Sequence, residues 1–357
     1  MGEFMKFGRA LLVVSALVLA GVSGCTPPMP PDVKAALAEE VSPCVADGNI
    51  TANVQPQYLD LVQIFADDYT GECPNSSINV VSDSTNADIS FSDQASPVGC
   101  DVIAGGPIAY DAAALVHNQL DVSEVNLKPQ TVSKLLSGQI KNWADPSLVA
   151  DNPDAGLPST PLVLQPEGYG PALDALNSWG HQLDSANWSD TAAIKKVSDW
   201  NSDTSLTAAT TENSVSVTPL SVALNNSLTT AAIQLPGQEY PVVSDLTSTY
   251  AATGQLKAVD ESAQVIRTII DPKLSALKAD GADQAAQPWA ALYPVNEYIC
   301  KGSQQQAARA FARYVLRGNE QAQNESYYVE RVPEAIRLIT AGVVAQGLPE
   351  PSATPGQ

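Results

Sequence analysis

The chain has 357 residues, of which 18 are lysine or arginine and 39 are aspartate or glutamate, so its net charge is −21. A length of this order is enough for about two domains, and a hydrophobic content of 44% is that of an ordinary globular protein. The acidic excess argues against nucleic-acid binding, which needs a basic face to neutralise phosphates. It also provides no attraction to an anionic membrane surface.

The N-terminal residues have the pattern of an export signal. Lys6 and Arg9 precede an apolar run over residues 11–22, which is too short for a membrane-spanning helix but fits a secretory signal. The run ends in Val-Ser-Gly-Cys, so Cys25 looks like the lipid-acceptor cysteine of a bacterial lipobox. We therefore expect a lipoprotein with a signal peptide over residues 1–24, a palmitate-type lipid anchor and a location on the extracytoplasmic face of the cell membrane. An ordinary signal peptide with an incidental cysteine is the alternative.

Strand and helix patterns then alternate along the chain, which favours a parallel sheet. Residues 57–69 have a helical apolar spacing and stand between β-rich runs at residues 49–54 and 77–82. Residues 101–117 form a long apolar run that Gly105-Gly106-Pro107 interrupts. Further strands are predicted at 87–92, 161–164 and 293–300, and further helices at 131–137, 171–179, 304–317 and 334–344.

The order of these elements predicts two interleaved lobes. The chain builds lobe I over residues 44–115, leaves it to build lobe II over residues 116–285, and returns to complete lobe I over residues 286–345. A Pro-rich flexible tether precedes the lobes at residues 25–43. The Pro- and Gly-containing residues 346–357 are typical of a disordered tail.

Four cysteines remain after the lipidated one: Cys44, Cys73, Cys100 and Cys300. An even number in an exported chain indicates two disulfides, for which three connectivities exist. Cys44–Cys73 is sterically sensible because each cysteine precedes one of two neighbouring parallel strands. Cys100–Cys300 would then tie two distant segments into one domain. The absence of a C-x2-C pair argues against a metal site.

Four short segments resemble the phosphate-binding (PstS-like) lipoproteins of ABC importers. Residues 135–146 (LLSGQIKNWADP) resemble the family segment IFSGKITNWNDP, and residues 157–163 are similar to its LPDTPI strand entry. Residues 89–93 (ISFSD) and 327–333 (YYVERVP) are similar to DFGASD and GYVPLP. The resemblance covers residues 49–335. It implies an α/β fold of the type II periplasmic-binding-protein class, whose two lobes close around a solute by hinge motion.

The resemblance also implies a ligand site formed by both lobes. Such sites hold an oxyanion through backbone N–H groups at helix N-termini, hydroxyl groups and an arginine. In the phosphate binders an aspartate accepts a hydrogen bond from the protonated anion, and Asp93 takes that place. The family loop R-x-D-G-S-G-T appears here as residues 165–171 (QPEGYGP). The implied ligand-binding residues are Thr51, Ser92, Asp93, Gln165, Gly168, Tyr169 and Gly170.

The loop at residues 165–171 makes the predicted anion site degenerate. Gln165 replaces the arginine, which removes a charge-assisted donor worth ~1.5–3 kcal/mol per hydrogen bond. Tyr169 replaces the serine, and Pro171 replaces the threonine and has no backbone N–H. In lobe I, the short segment over residues 82–92 leaves no room for the helix whose N-terminus would hold the anion. We therefore expect weak or absent phosphate binding.

Two functions fit the sequence. The first is a membrane-anchored solute-binding protein that passes a small oxyanion or another small solute to an ABC permease, with altered or weak binding. The second is a binding-protein fold repurposed as a non-transport interaction or assembly subunit of a membrane complex, which Tyr169 at the cleft favours. No catalytic, nucleotide-binding or metal-binding motif is present, so we expect neither enzyme activity nor a cofactor.

Other chemistry-bearing side chains are expected to be structural. Trp143 lies in the family-like segment and is predicted to be in the core. Trp188 and Trp200 lie in a polar stretch and are the better candidates for surface stacking. His117 and His181 are expected to be solvated or hydrogen-bonded.

Overall fold

A computed structural model describes residues 42–82, 85–189, 193–197, 210–235, 241–261, 263–270 and 288–349. The predicted signal peptide, the predicted lipidation site Cys25, Trp200 and nearly all of the predicted tether lie outside these residues. Most of the predicted tail lies outside them as well.

The described chain is a mixed α/β structure. Its strands are β1 (Asn49–Val54), β2 (Ser77–Val81), β3 (Ile89–Ser92), β4 (Val102–His117), β5 (Asn126–Leu127), β6 (Val163–Leu164), β7 (Glu167–Tyr169), β8 (Lys195–Val197), β9 (Ser214–Pro219), β10 (Ala232–Ile233), β11 (Leu256–Ala258), β12 (Thr268–Ile270), β13 (Leu292–Cys300) and β14 (Glu330–Arg331). Its α-helices are α1 (Leu59–Glu72), α2 (Pro129–Leu136), α3 (Pro146–Asp151), α4 (Gly170–Leu183), α5 (Leu220–Asn225), α6 (Leu246–Thr253), α7 (Gln305–Val315), α8 (Gln323–Ser326) and α9 (Glu334–Val344). Short 3-10 turns lie at Pro56–Tyr58 and Glu320–Ala322.

One large sheet runs through both halves of the molecule. Its strand order is β2-β1-β3-β13-β4-β9-β6, and β14 pairs with β4 beside this path. The β1 strand pairs in parallel with β2 and β3, as the alternation of strands and helices predicted. The β13 strand is antiparallel to both β3 and β4, so the returning chain closes the sheet of the first half.

The apolar run over residues 101–117 forms a single long strand in spite of its glycines and proline. Pro107 cannot donate a ladder hydrogen bond, and the register between β4 and β13 shifts beside it. Gly105 is required by close packing, because a Cβ there would lie 2.3 Å from the carbonyl oxygen of Glu297. The strand therefore passes from one half of the molecule to the other without a break.

Two hydrophobic cores flank this crossing strand. The first core contains Phe65, Phe91 and Phe311, and the second contains Trp143 and Trp289. On β4 the first core ends at Tyr110 and the second begins at Ala112, and on β13 the change falls between Tyr293 and Val295. The change of core on these two strands shows where the packing changes. The lobe boundaries at 115/116 and 285/286 stay a prediction.

Both expected disulfides are present. Cys44 pairs with Cys73 between the start of β1 and the end of α1, and Cys100 pairs with Cys300 between the start of β4 and the end of β13. The second bond joins residues 200 positions apart in the sequence. It ties the returning segment to the first half of the sheet.

The structure tests two of the tryptophan predictions: the core position of Trp143 is confirmed, and the surface position of Trp188 is wrong. Trp143 is fully buried, as expected, and its Nε1 donates to the carbonyl of Asn213 at 3.1 Å. Trp188 is buried and not at the surface, because its ring packs on Gly180 of α4 and its Nε1 donates to Asn177 at 3.3 Å. The polar residues around Trp188 in the sequence did not reveal this tertiary contact.

Two helical glycines provide a matched test of the Trp188 contact. A Cβ at Gly180 would lie 2.1–2.3 Å from the Trp188 ring, whereas a Cβ at Gly71 of α1 would meet nothing within 4 Å. We expect Gly180→Ala to lower the free energy of unfolding by about 1–3 kcal/mol through overpacking. We expect Gly71→Ala to leave it unchanged or raise it by up to ~1 kcal/mol. Denaturant unfolding of both variants checks this, and equal stability would contradict the packing.

His117 differs from the expectation of a solvated or hydrogen-bonded histidine. The residue is 3% exposed, and its ring centroid lies 6.0 Å from that of Trp143. Within the part of the chain that the structure describes, neither ring nitrogen has a hydrogen-bond partner. Burial lowers the pKa of His117 to about 4. The folded protein therefore holds this imidazole neutral at a pH where the unfolded chain would protonate it.

This burial predicts acid sensitivity. Between a pH of about 6.5 and about 4 the unfolded chain binds up to one more proton than the folded chain, so stability falls as the pH drops through this range. We expect His117→Phe to remove roughly 2–3 kcal/mol of the stability loss between pH 7.5 and 4.5. Urea unfolding at both pH values measures the difference. The same acid-induced loss in both proteins would show that His117 contributes nothing to it.

Candidate functional site

Asp93 lies where the chain leaves β3, and its carboxylate is the centre of a buried polar cluster. The side chain is largely buried at 9% exposure. Its Oδ2 accepts a hydrogen bond from the Tyr58 hydroxyl at 3.1 Å, and its Oδ1 accepts one from Gln94 Nε2 at 3.2 Å. Its backbone N–H donates to Gln55 Oε1 at 2.8 Å. The polar cluster thus forms at the carboxyl ends of β1 and β3, where ligand sites of parallel sheets usually lie.

The Tyr169 hydroxyl makes the shortest contacts of the cluster. It lies 2.5 Å from Asp93 Oδ1 and 2.6 Å from Asp93 Oδ2, and it donates to this carboxylate. The same oxygen accepts hydrogen bonds from the side-chain amides of Gln55 and Gln57, each at 3.0 Å. One hydroxyl group therefore uses its donor and both its acceptor positions.

This contact joins the two halves of the molecule. Tyr169 is the last residue of β7 and the N-cap of α4, and its side chain is fully buried in the second core. Gln55, Gln57 and Asp93 follow β1 and β3, which pack on the first core. The hydroxyl of Tyr169 thus reaches across from one half to the carboxylate of the other.

A second buried carboxylate stands beside the first. Asp111 lies on β4 between the two cores and is 2% exposed. Its oxygens accept hydrogen bonds from Ser221 Oγ at 2.6 Å, the Ser221 N–H at 3.1 Å and the Ala112 N–H at 2.7 Å. The Tyr58 hydroxyl lies 3.4 Å from Asp111 Oδ2 and so links the two carboxylates.

Burial dominates the ionisation of the cluster. It raises the pKa of Asp93, and the hydrogen bond from Tyr169 is the largest of the contributions that partly offset this. Burial also raises the pKa of Asp111 to about 6, against the hydrogen bonds from Ser221. Burial and the nearby negative charge of Asp93 raise the pKa of Tyr169 well above its ordinary value. Tyr169 therefore keeps its proton at neutral pH and acts as the donor.

The structure brings together only part of the predicted ligand-binding set. Asp93 and Tyr169 are in direct contact, and Ser92 lies beside them with its hydroxyl accepting the Gln94 N–H at 3.0 Å. Thr51 lies within β1, where its N–H donates to Asp88 at 3.0 Å. The Gln165 N–H donates to the carbonyl of Val215 at 2.9 Å.

The two predicted glycines, Gly168 and Gly170, lie on either side of Tyr169 in the chain. Gly168 pairs with Lys196 across β7 and β8, and a Cβ there would lie 2.8 Å from Leu173. Gly170 is the first residue of α4. Between β2 and β3, the described residues 82 and 85–88 contain no helix, as the short spacing predicted.

Six members of the cluster were not predicted from the sequence. The position of the glutamines after the first strand was a usable signal, since polar residues at strand ends often form sites. Asp111, an acid within the apolar run of β4, was another usable signal, because a buried charge needs hydrogen-bond partners. The missed residues are Gln55, Gln57, Tyr58, Gln94, Asp111 and Ser221.

Among the described residues, the carboxylates of the cluster have hydroxyl and amide partners and no ion-paired cation. In the described part of the chain, no lysine or arginine forms a salt bridge with Asp93 or Asp111. The same residues contain no group of three or more His, Cys, Asp or Glu side chains placed to hold a metal ion. None of the helices in the described ranges is long and apolar enough to cross a membrane.

Two α/β cores joined by crossing strands, with a polar cluster at the crossing, are the architecture of a two-lobed binding-protein fold. The chain belongs to the PBP superfamily domain family, whose model matches residues 93–319. Phosphate-binding protein PstS 3 of Mycobacterium leprae is 23% identical over 255 residues, which are 66% of this chain. The aligned part spans 65% of that relative's own length, less than two thirds of it.

Solved structures agree on the fold. An ancestral soluble variant of the human phosphate-binding protein has a TM-score of 0.55 at 11% identity, covering 81% of this chain and 92% of that one. A high-affinity periplasmic phosphate-binding protein bound with phosphate has a TM-score of 0.53 at 15% identity, covering 82% and 92%. A phosphate-binding protein from Stenotrophomonas maltophilia has a TM-score of 0.50 at 10% identity, covering 81% and 92%. The chain therefore has the two-lobed type II periplasmic-binding-protein fold.

Removing the Tyr169 hydroxyl tests its role in the cluster. We expect Tyr169→Phe to lower the free energy of unfolding at pH 7.5 by about 2–3 kcal/mol, because a buried carboxylate loses its closest donor. The loss should shrink in acid, because removal of this hydrogen bond raises the pKa of Asp93 further and protonation relieves the unpaired charge. Chemical denaturation between pH 7.5 and 4.5 measures both effects.

Tyr298→Phe is the matched control for that variant. Tyr298 is also buried, but its hydroxyl donates to the neutral carbonyl of Gln94 at 3.0 Å. Its loss should cost only about 1 kcal/mol. If Tyr169→Phe were no less stable than Tyr298→Phe at pH 7.5, the charged hydrogen bond would not hold the cleft together.

Proposed function

We propose that the chain is an extracytoplasmic solute-binding protein whose cleft has lost most of its affinity for phosphate. The observation that carries this proposal is the Tyr169 hydroxyl between Asp93, Gln55 and Gln57. By the resemblance, Asp93 is the residue that would accept a hydrogen bond from protonated phosphate. Its carboxylate already has that bond from within the chain.

The charges of the cluster support the same proposal. Phosphate entering the cleft would meet the carboxylates of Asp93 and Asp111, and Gln165 stands where the family loop has an arginine. Neutral amide and hydroxyl donors offset a buried anion less well than a guanidinium does. A dianion would therefore gain less here than in a site that keeps the arginine.

The membrane assignment is part of the proposal. The lipobox-like sequence at Cys25 and the Pro-rich segment after it support a lipid-anchored body on the outer face of the cell membrane. Membership of the PBP superfamily and the phosphate-binding names of its relatives support an ABC permease as the partner. The role is one of binding and not of catalysis.

A second candidate function is an assembly or interaction subunit of another membrane complex. The Tyr169 contact favours it, because a cleft that its own side chain holds closed does not need a solute to reach the closed form. Co-purification from membranes separates the two functions. Recovery with a permease pair supports transport, whereas recovery with a different membrane complex supports the second function.

Calorimetric titration of the purified full chain with phosphate at pH 7.5 tests the loss of affinity. We expect no binding in the micromolar range, because phosphate must break the Tyr169 contact and approach two buried acids. Tryptophan fluorescence in the same titration provides an independent readout. Micromolar binding that Asp93→Ala abolishes would show that the phosphate site is intact and would overturn the proposal.

A further inference from the structure

The position of the Tyr169 hydroxyl shows which chemical group the cleft is built to hold. Asp93 offers a carboxylate that needs a donor, and Gln55 and Gln57 offer two N–H donors that need an acceptor. All three lie within 3.0 Å of a single oxygen. These three groups place one acceptor and two donors around one point, and the Gln94 amide, which donates to Asp93 Oδ1 at 3.2 Å, lies beside them.

Other contacts fix the orientation of the Gln55 and Gln57 side-chain amides, so each presents its N–H and not its oxygen. The Oε1 of Gln55 accepts the backbone N–H of Asp93 at 2.8 Å, so its Nε2 must face the Tyr169 hydroxyl. Gln57 Nε2 lies 3.4 Å from Asp93 Oδ2 as well as 3.0 Å from the hydroxyl, so its amide nitrogen also faces the carboxylate. A flipped Gln57 would point an oxygen at a buried negative charge.

This fixed pattern discriminates among ligand types. A hydroxyl has one donor and two acceptor lone pairs and satisfies all three groups. An ammonium has only donors, so it would leave both amide N–H groups facing other donors. An oxyanion could accept from the amides, but it would bring negative charge beside Asp93 and Asp111, with which no lysine or arginine of the described residues forms a salt bridge.

The surroundings suit a neutral ligand with more than one hydroxyl. The Tyr293 ring lies 6.3 Å from the Tyr169 ring in an edge-on arrangement, and Tyr58 completes the aromatic surface beside Asp93. The Tyr293 side chain is 6% exposed and lies beside Tyr58, but its hydroxyl forms no hydrogen bond of normal geometry within the described residues. A second hydroxyl on a ligand could satisfy this buried group.

We propose that the space filled by the Tyr169 hydroxyl is a recognition site for a neutral hydroxyl group, of the kind carried by a phenol, a polyol or a sugar. This inference rests on the proposed function, in which the cleft has lost its phosphate affinity, and it names what the same groups select. Tyr169 acts as the built-in occupant. An external ligand binds when the side chain leaves.

The test uses the full chain with Tyr169→Ala, which removes the occupant and keeps Asp93, Gln55 and Gln57. Five probes are titrated at pH 7.5: p-cresol, toluene, D-glucose, inorganic phosphate and methylammonium. We expect p-cresol to bind at least about tenfold more tightly than toluene, because only p-cresol supplies the hydroxyl to the charged acceptor. Binding of D-glucose would extend the class to sugars, and its absence would restrict the class to phenols.

Tyr169→Phe is the control, because its ring still fills the space and should prevent binding of p-cresol. Equal binding of p-cresol and toluene would mean that the cavity selects shape alone and would overturn the proposal. So would tighter binding of phosphate or methylammonium than of p-cresol. If Tyr169→Ala folds only with an added probe, folding with p-cresol but not with toluene supports the proposal, and equal folding with both, or with neither, overturns it.

The test of hydroxyl selection and the test of phosphate affinity can fail independently of each other. The proposed loss of phosphate affinity is tested on the wild-type chain, whereas hydroxyl selection is tested on the variant without its occupant. Micromolar phosphate binding by the wild type would overturn the first proposal. A failure of p-cresol to bind more tightly than toluene to the variant would overturn only the second.

Discussion

The hydrogen bond from the Tyr169 hydroxyl to the Asp93 carboxylate is the contact on which the arrangement of the cleft depends. It joins a side chain held in the second core to one at the end of β3 in the first. Because both partners belong to one chain, the local concentration of the hydroxyl is set by the fold and not by the solution. A free ligand must therefore compete with a partner that is always present.

The second constraint is the pair of buried acids beside the crossing strand. An unpaired carboxylate at this depth would be costly, so the stability of the cleft depends on the donors that surround Asp93 and Asp111. Those donors come from both halves of the molecule: Tyr58 follows β1, while Ser221 is the second residue of α5, the helix that follows β9. The chemistry of the site and the relative placement of the two cores are thus stabilised by the same hydrogen bonds.

The sequence predicted six of the eight strands of the large sheet, missing β9 and β14, and it singled out two of the central residues but not their contact. Periodicity located β1, α1 and β13, and the family resemblance singled out Asp93 and Tyr169. That the tyrosine reaches the aspartate depends on how the halves pack, which no local pattern contains. Gln55 and Gln57 carry no charge and match no motif, and Trp188 lies in a polar stretch whose packing on Gly180 is a tertiary contact. Contacts between distant segments account for each of these failures.

The replacements in the loop at residues 165–171 make physical sense as a set. In a site of the family pattern, the aspartate finds its donor in the bound anion and the arginine offsets the anion's charge. With Gln165 in place of the arginine, an empty cleft would leave Asp93 buried without a strong donor. Tyr169 supplies that donor from within the chain, so the carboxylate is satisfied without any ligand. Tyr169, from the same loop as Gln165, therefore supplies the donor that Asp93 needs, and the polar cluster is satisfied from within the chain.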